Sequence, residues 1–323
     1  MKINASTMKM WSRIGSRAAY GMAALELGKN YDDLILLTGD TSTSAGLDRF
    51  KKTFPEKYLE VGIAEQNMIG IAAGLASEDL QVFTSTFSPF QTMRCCEQIK
   101  VNVGYMNHKV CMVGLASGLV LGMLGYTHCC IEDVSIMRSI PGITVISPAD
   151  CGATIKATLA AIEHDQSVYI RLTGGAPNPS VYLDDFDFTI GKANILREGN
   201  DLAIIACGTM VNNALEAADL LKKGKIEAFV IDMHTLKPID IEIIDEFSKS
   251  SRLIVTVEEH SIIGGLGSAV SEYLSTLNQK PPLLSIGIPD EYGKAGSYKS
   301  LLEKRFLLPD QIANTIANRY FSI

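Results

Sequence analysis

Apolar residues along this chain recur with two different periods. From Met8 to Leu27 they keep helical spacing, and the short unbroken run Leu34–Leu37 that follows reads as a buried strand. The same alternation continues. Tyr58–Val61, Val82–Thr86, Val110–Leu115, Thr144–Ile146 and Ser167–Leu172 read as strands. Gln66–Ala76, Phe90–Val103, Ile131–Ser139 and Ala153–His164 read as the helices between them, and 40–49 as a polar loop. Strands alternating with helices predict an α/β fold with a doubly wound, mostly parallel sheet.

Near Thr173 the texture changes. Residues 174–179 read Gly-Gly-Ala-Pro-Asn-Pro, which is loop chemistry, and the stretch through Glu198 reads as a hairpin or meander. A fresh alternation then begins. Leu202–Cys207, Ala228–Asp232 and Leu253–Val257 read as strands, with Asn213–Lys222, Asp240–Lys249 and Gly267–Leu274 as helices. A linker over 173–195 therefore divides a first domain, 1–182, from a second, smaller α/β domain, 183–323.

Composition narrows the class. The 323 residues are 47% hydrophobic, enough for two sizeable cores. A net charge of −7 argues against a nucleic-acid or anionic-membrane partner. The N-terminal stretch is broken by Arg13, Arg17 and Glu26 and has no apolar signal region, and the longest apolar run, 110–126, is short and glycine-rich for a membrane span. Seven cysteines occur at 95, 96, 111, 129, 130, 151 and 207 without a CxxC spacing, which suggests reduced thiols in the cytoplasm rather than a disulfide framework or zinc site.

One stretch carries the chemistry. Residues 58–67, YLEVGIAEQN, end a strand-like segment at Gly62 and place Glu65 at the mouth of a helix dense in Gly and Ala. A carboxylate there is favoured by the helix dipole, and a buried one needs a partner. The blocks that follow are STFSPFQTMR with Phe87 and Phe90, then Gly125-Tyr126-Thr127-His128, then IEDVSIMRSIPGITVISPAD. In the second half come ACGTMVNNALEAADLL, IDMHTLKPID and VEEHSIIGGLGSAV.

In order and spacing these blocks resemble the transketolase superfamily, the thiamine-diphosphate enzymes, over nearly the whole chain. The resemblance implies a pyrimidine-binding domain followed by a transketolase C-terminal domain. It implies that Glu65 holds a proton at the aminopyrimidine ring nitrogen of the cofactor, that Phe87 and Phe90 stack on that ring, and that His128 meets substrate oxygens and assists proton movement. It further implies Asp40 near the cofactor and subunit interface, Arg17, Ser44 and Arg171 around a sugar phosphate, and His260 near subunit contacts.

Two departures stand out. Where transketolases carry acidic residues before their motif histidine, this chain has Met123 and Leu124, with Tyr126 at a proline position. A second family histidine, twelve residues before the motif histidine, is Ala116. Both changes remove hydrogen-bond partners from the sugar-reading wall and suggest a modified sugar. The family's N-terminal half, whose GDG motif holds the metal on the diphosphate, has no counterpart in this sequence; Gly39-Asp40-Thr41 only mimics it. The resemblance therefore implies the C-terminal subunit of a split enzyme. An N-terminal partner subunit would supply Mg2+ (or Ca2+) and the diphosphate contacts in an α2β2 assembly. The expected reaction moves a two-carbon ketol unit from a phosphorylated ketose to an aldehyde. A 1-deoxyxylulose-phosphate-synthase-like or 2-oxo acid dehydrogenase β-type subunit, and a non-catalytic regulatory subunit, are the alternatives.

Overall fold

The computed structural model describes residues 3–323. In chain order its elements are α1 (Ala5–Asn30), β1 (Leu34–Thr38), α2 (Asp48–Thr53), β2 (Tyr58–Glu60), α3 (Glu65–Ala76), β3 (Gln81–Phe87), α4 (Ser88–Gln91) and α5 (Cys96–Gln98). After a π-helical turn at Ile99–Tyr105 come β4 (Val110–Ser117), α6 (Asp133–Ser139), β5 (Ile143–Ile146), α7 (Cys151–Glu163) and β6 (Ser167–Thr173). The second half holds β7 (Asn194–Arg197), β8 (Leu202–Ala206), α8 (Met210–Lys223), β9 (Ala228–Asp232), β10 (Thr235–Lys237), α9 (Ile241–Ser250) and β11 (Ile254–Ser261). It closes with α10 (Leu266–Leu274), β12 (Leu283–Ile288), α11 (Tyr298–Lys304) and α12 (Pro309–Phe321).

Two sheets form. The first has strand order β10-β5-β6-β4-β3-β1-β2, parallel except for β10, which runs antiparallel to β5. The second has order β12-β11-β8-β9-β7, parallel except for β7. This is the doubly wound α/β architecture that the alternation predicted. The central strands β4 and β6 are buried at every position, as strands covered on both faces must be. β10 was not legible: it is three residues of the second half that extend the first sheet.

Local chemistry explains where elements begin and bend. The Asn4 side chain accepts from the Thr7 N–H at 3.0 Å while the Thr7 side chain caps back, fixing the start of α1. Gly15 breaks that helix at φ +82, where Gly175 O lies 3.0 Å from the position a Cβ would take. On α3 the buried residues Glu65, Met68, Ile69, Ala72 and Ala73 follow helical spacing, whereas Gly70 and Gly74 face open space.

Two expectations fail. The single helix over 90–103 is instead α4, α5 and the π turn. The Arg94 N–H donates to Pro89 O at 3.2 Å instead of Phe90 O, and the Cys95 thiol takes Phe90 O, so the regular helical ladder is interrupted there. The hairpin before Glu198 is an irregular strap in which only β7 is a strand. Asp150 ties the strap down by accepting from the Val181 and Tyr182 N–H groups at 2.8 and 3.0 Å.

Candidate active site

β1 pairs with β2 on one side and with β3 on the other. The chain leaves β2 and crosses through α3 to β3, so strand order reverses about β1. Crevices open beyond the carboxyl ends of strands at such a switch point. Gly39, Glu65, Thr86 and Phe87 converge there. A Cβ on Gly39 would stand 3.2 Å from Gly62 O, 3.4 Å from Glu65 Cγ and 3.9 Å from Thr86 Oγ1. The Thr86 hydroxyl is buried and has no hydrogen-bond partner among the described residues.

Four of the expected site residues meet at this crevice. Glu65 opens α3 with its carboxylate 4% exposed, and Arg94 Nη1 donates to its Oε2 at 2.8 Å. The Arg94 guanidinium lies over the Phe90 ring, 4.0 Å from its centre. Phe90 stands edge-on to Phe87 at 6.3 Å and to His128 at 5.4 Å, and Phe87 meets His128 at 6.2 Å. His128 comes from a tight turn after β4, where its Nδ1 lies 3.0 Å from the Thr127 hydroxyl. Buried carboxylate, aromatic faces and imidazole thus form one continuous wall, half-buried except at Glu65.

Around this wall the remaining expectations divide. Asp40 is exposed, in the left-handed region at φ +57, and its N–H donates to Glu60 Oε1 at 2.7 Å. Glu60, which the sequence reading missed, also accepts from Thr38 Oγ1 (2.6 Å), Tyr58 OH (3.0 Å) and Gly62 N (3.1 Å). Burial opposes ionisation of Glu60, yet these donors hold its carboxyl below the ordinary value. It shapes the crevice rim by pinning both β-strand exits. Arg17 and Ser44 come together: Arg17 Nη1 donates to Ser44 O at 3.2 Å.

Arg171 requires a correction. Its side chain is 1% exposed, its Nε donates to Asp133 Oδ2 at 2.8 Å, and its Nη2 reaches Glu259 O at 2.9 Å. The guanidinium is fully engaged inside the protein and faces no open space for a sugar phosphate. Burial alone would lower its pKa, but the Asp133 carboxylate raises it. His260 lies close by. It is buried between the two halves, its Nε2 accepting from Val134 N at 3.2 Å and lying 3.9 Å from Asp133 Oδ1. Its neighbours are internal as well. Glu258 accepts from the first N–H groups of α10, those of Leu266 and Gly267, at 2.7 and 2.8 Å. Glu259 accepts from Leu119 N, Thr209 Oγ1 and Tyr298 OH at 2.6, 3.0 and 2.6 Å.

The apolar departures are visible at the mouth. Met123 and Leu124 are 74% and 57% exposed on the turn that leads to His128, and Tyr126 packs edge-on against Tyr292 at 5.2 Å. Ala116 is buried at φ +54 at the end of β4.

Two family models match: "Transketolase, pyrimidine binding domain" over residues 12–177 and "Transketolase, C-terminal domain" over 191–312. The chain belongs to the transketolase family. Within it, the chain is 42% identical over 304 residues to a putative transketolase C-terminal section from Methanocaldococcus jannaschii, covering 94% of this chain and 95% of that one. It is 40% identical over 280 residues to a subunit of the apulose-4-phosphate transketolase from Phocaeicola vulgatus, covering 86% and 88%. Among solved structures, a split gene transketolase described as an inactive β4 tetramer matches with TM-score 0.85 and 37% identity over 94% of this chain and 97% of that one. A 1-deoxy-D-xylulose-5-phosphate synthase from Parasynechococcus marenigrum is 34% identical, but this chain covers only 47% of its length. The chain is thus a transketolase-type subunit similar to separately encoded C-terminal halves, and its family membership implies dependence on thiamine diphosphate.

Proposed function

We propose that this chain supplies the pyrimidine side of a split transketolase site, which transfers a two-carbon ketol unit from a phosphorylated ketose to an aldehyde. The buried Glu65 carboxylate at the strand switch point, flanked by Phe90 and Phe87, carries the reading. The crevice fits a flat heteroaromatic ring. Gly39 carries no side chain beside Glu65, the Thr86 hydroxyl lacks a partner among the described residues, and the Glu65 carboxylate is joined through Arg94 to the Phe90 ring, with Phe87 edge-on beyond it. When bound there, thiamine diphosphate would supply the nucleophilic carbon for breaking and making C–C bonds. Glu65 would hold a proton at the ring nitrogen, because a carboxylate so removed from water favours a donor opposite it. Phe87 and Phe90 would present the aromatic faces. Asp40, exposed at the rim, would face the cofactor's outer part and the junction between subunits. His128, joined edge-on to both phenylalanines, would hold or pass a proton at the substrate oxygens. Arg17, beside Ser44 and with N–H donors beyond the one given to Ser44 O, would take the substrate phosphate.

The metal and diphosphate fall to a partner subunit carrying the family's N-terminal half. In this reading two copies of each chain assemble as α2β2 in the cytoplasm, with residues 1–182 binding the pyrimidine and 183–323 closing the junction. Support comes from relatives named as a C-terminal section and as one subunit of a transketolase, and from a β-only tetramer described as inactive. Among the described residues no helix is long and apolar enough to cross a membrane. Glu65→Gln in the reconstituted complex tests the assignment. Turnover should fall by at least about a thousandfold with assembly intact, and near-normal turnover would overturn it. An acyl-type donor is a second reading, favoured by the apolar Met123–Leu124 lip. It would appear as turnover of pyruvate with an aldehyde phosphate.

A further inference from the structure

Arg94 is the side chain that sequence reading passed over and that the site holds closest to Glu65. Its backbone is anchored: the Arg94 N–H donates to Pro89 O at 3.2 Å, and its carbonyl accepts from Gln66 Nε2 at 3.0 Å. The anchoring follows from the break between α4 and α5, which turns this residue out of a helix and back toward the crevice. Its guanidinium meets Glu65 at 2.8 Å and covers the Phe90 ring at 4.0 Å. A guanidinium is planar, delocalised and donates within its plane, so it satisfies a carboxylate and a ring face at once. An aminopyrimidine carrying a ring N–H offers the same pair of features. Two such planes cannot share one carboxylate oxygen and one ring face.

The partners differ in mobility. The Glu65 side chain is 4% exposed and fixed at a helix start, whereas the Arg94 side chain is 42% exposed and has an open route to solvent. We propose that Arg94 is a displaceable stand-in for the cofactor's aminopyrimidine. In the cofactor-free chain it keeps Glu65 paired and Phe90 covered, and it must swing away before the cofactor binds. The inference rests on the reading that Glu65 receives the pyrimidine. Arg94 is therefore a positioning residue that sets cofactor affinity and the stability of the empty subunit in opposite directions.

Arg94→Gln separates these effects. In the complex with the N-terminal partner, calorimetric titration of thiamine diphosphate with magnesium should give binding about three- to tenfold tighter than wild type, as expected when a mostly closed competitor is removed. The unfolding midpoint of the cofactor-free variant chain should be lower than that of wild type. Without Arg94 the Glu65 carboxylate stays buried and has lost its charged partner. Arg94→Lys, which keeps charge without a plane, should recover most of the lost midpoint. Unchanged or weaker cofactor binding by Arg94→Gln overturns the proposal; a lower midpoint with unchanged affinity would leave Arg94 a structural partner only. No cofactor binding by the assembled wild-type complex would instead overturn the Glu65 reading, and this inference with it.

Discussion

Replacing Arg171 with methionine separates a structural clamp from a phosphate ligand. Asp133 and Arg171 are both excluded from water and lie 2.8 Å apart. Without the guanidinium, Asp133 Oδ2 keeps only the Tyr169 hydroxyl at 2.8 Å, and Oδ1 already lacks a hydrogen-bond donor among the described residues. The Glu259 carbonyl loses the Arg171 donor as well, whereas the Cys130 carbonyl keeps the Gly118 N–H at 2.8 Å. Breaking one side of a buried pair costs about 3–5 kcal/mol. At about 2 °C per kcal/mol for a chain of this size, the unfolding midpoint should fall by about 6–10 °C. Scanning calorimetry of the purified chain at pH 7 measures it. Adding Asp133→Leu should return most of the loss, because two apolar groups need no mutual compensation. The KM for a sugar phosphate in the reconstituted complex should be unchanged at low temperature. A midpoint within about 1 °C of wild type together with a raised KM would refute this reasoning and return Arg171 to the phosphate site.

Other perturbations test separate parts of the structure. Leu124→Asp restores an acid on the turn before His128 and should shift the ratio of kcat/KM values toward hydroxyl-rich phosphoketoses; an unaltered substrate ranking would remove the specificity role of the apolar lip. Burial pushes the Asp232 carboxyl up to about 8, against the Tyr182 hydroxyl that donates to it at 2.7 Å. The native state therefore holds a proton that the unfolded chain has already released, and stability falls as pH rises from about 4 to about 8. Asp232→Asn should flatten this slope in midpoints measured from pH 5 to 8, whereas an unchanged slope would contradict the assignment. Gly118→Ala puts a Cβ at φ +74 into the Glu259 carboxylate and should cost about 1–3 kcal/mol in denaturant unfolding. A wild-type midpoint there would show that the junction yields freely.

How much of this was legible depended on the reach of each contact. Most strands announced themselves as short apolar runs, so the parallel core of each sheet could be read directly, whereas the edge strands β7 and β12 could not. Glu65, Phe87, Phe90 and His128 could be singled out because each lies in a compact motif, and the fold brings them to one crevice. The short strand β10 was not found, since three residues before Pro238 carry no period, nor were the helices after Ser297. Arg171 was misplaced because an arginine reads alike whether it faces a phosphate or a buried aspartate, and its partner Asp133 lies 38 positions away. Glu60 lay two residues from Gly62 in plain view, but its task depends on Asp40 and Thr38 arriving from β1. Arg94 was hidden behind a helix expectation that fails where its own N–H turns to Pro89 O and the Cys95 thiol takes Phe90 O.

The most direct measurement is calorimetric titration of thiamine diphosphate with magnesium into this chain alone and into the chain assembled with the N-terminal partner. In the proposed reading Glu65, Phe87 and Phe90 would provide only the pyrimidine side, so weak or undetectable binding by the chain alone and tight binding by the assembly are expected. An assembled complex that binds no thiamine diphosphate, or an isolated chain that binds it equally tightly, would contradict a shared active site.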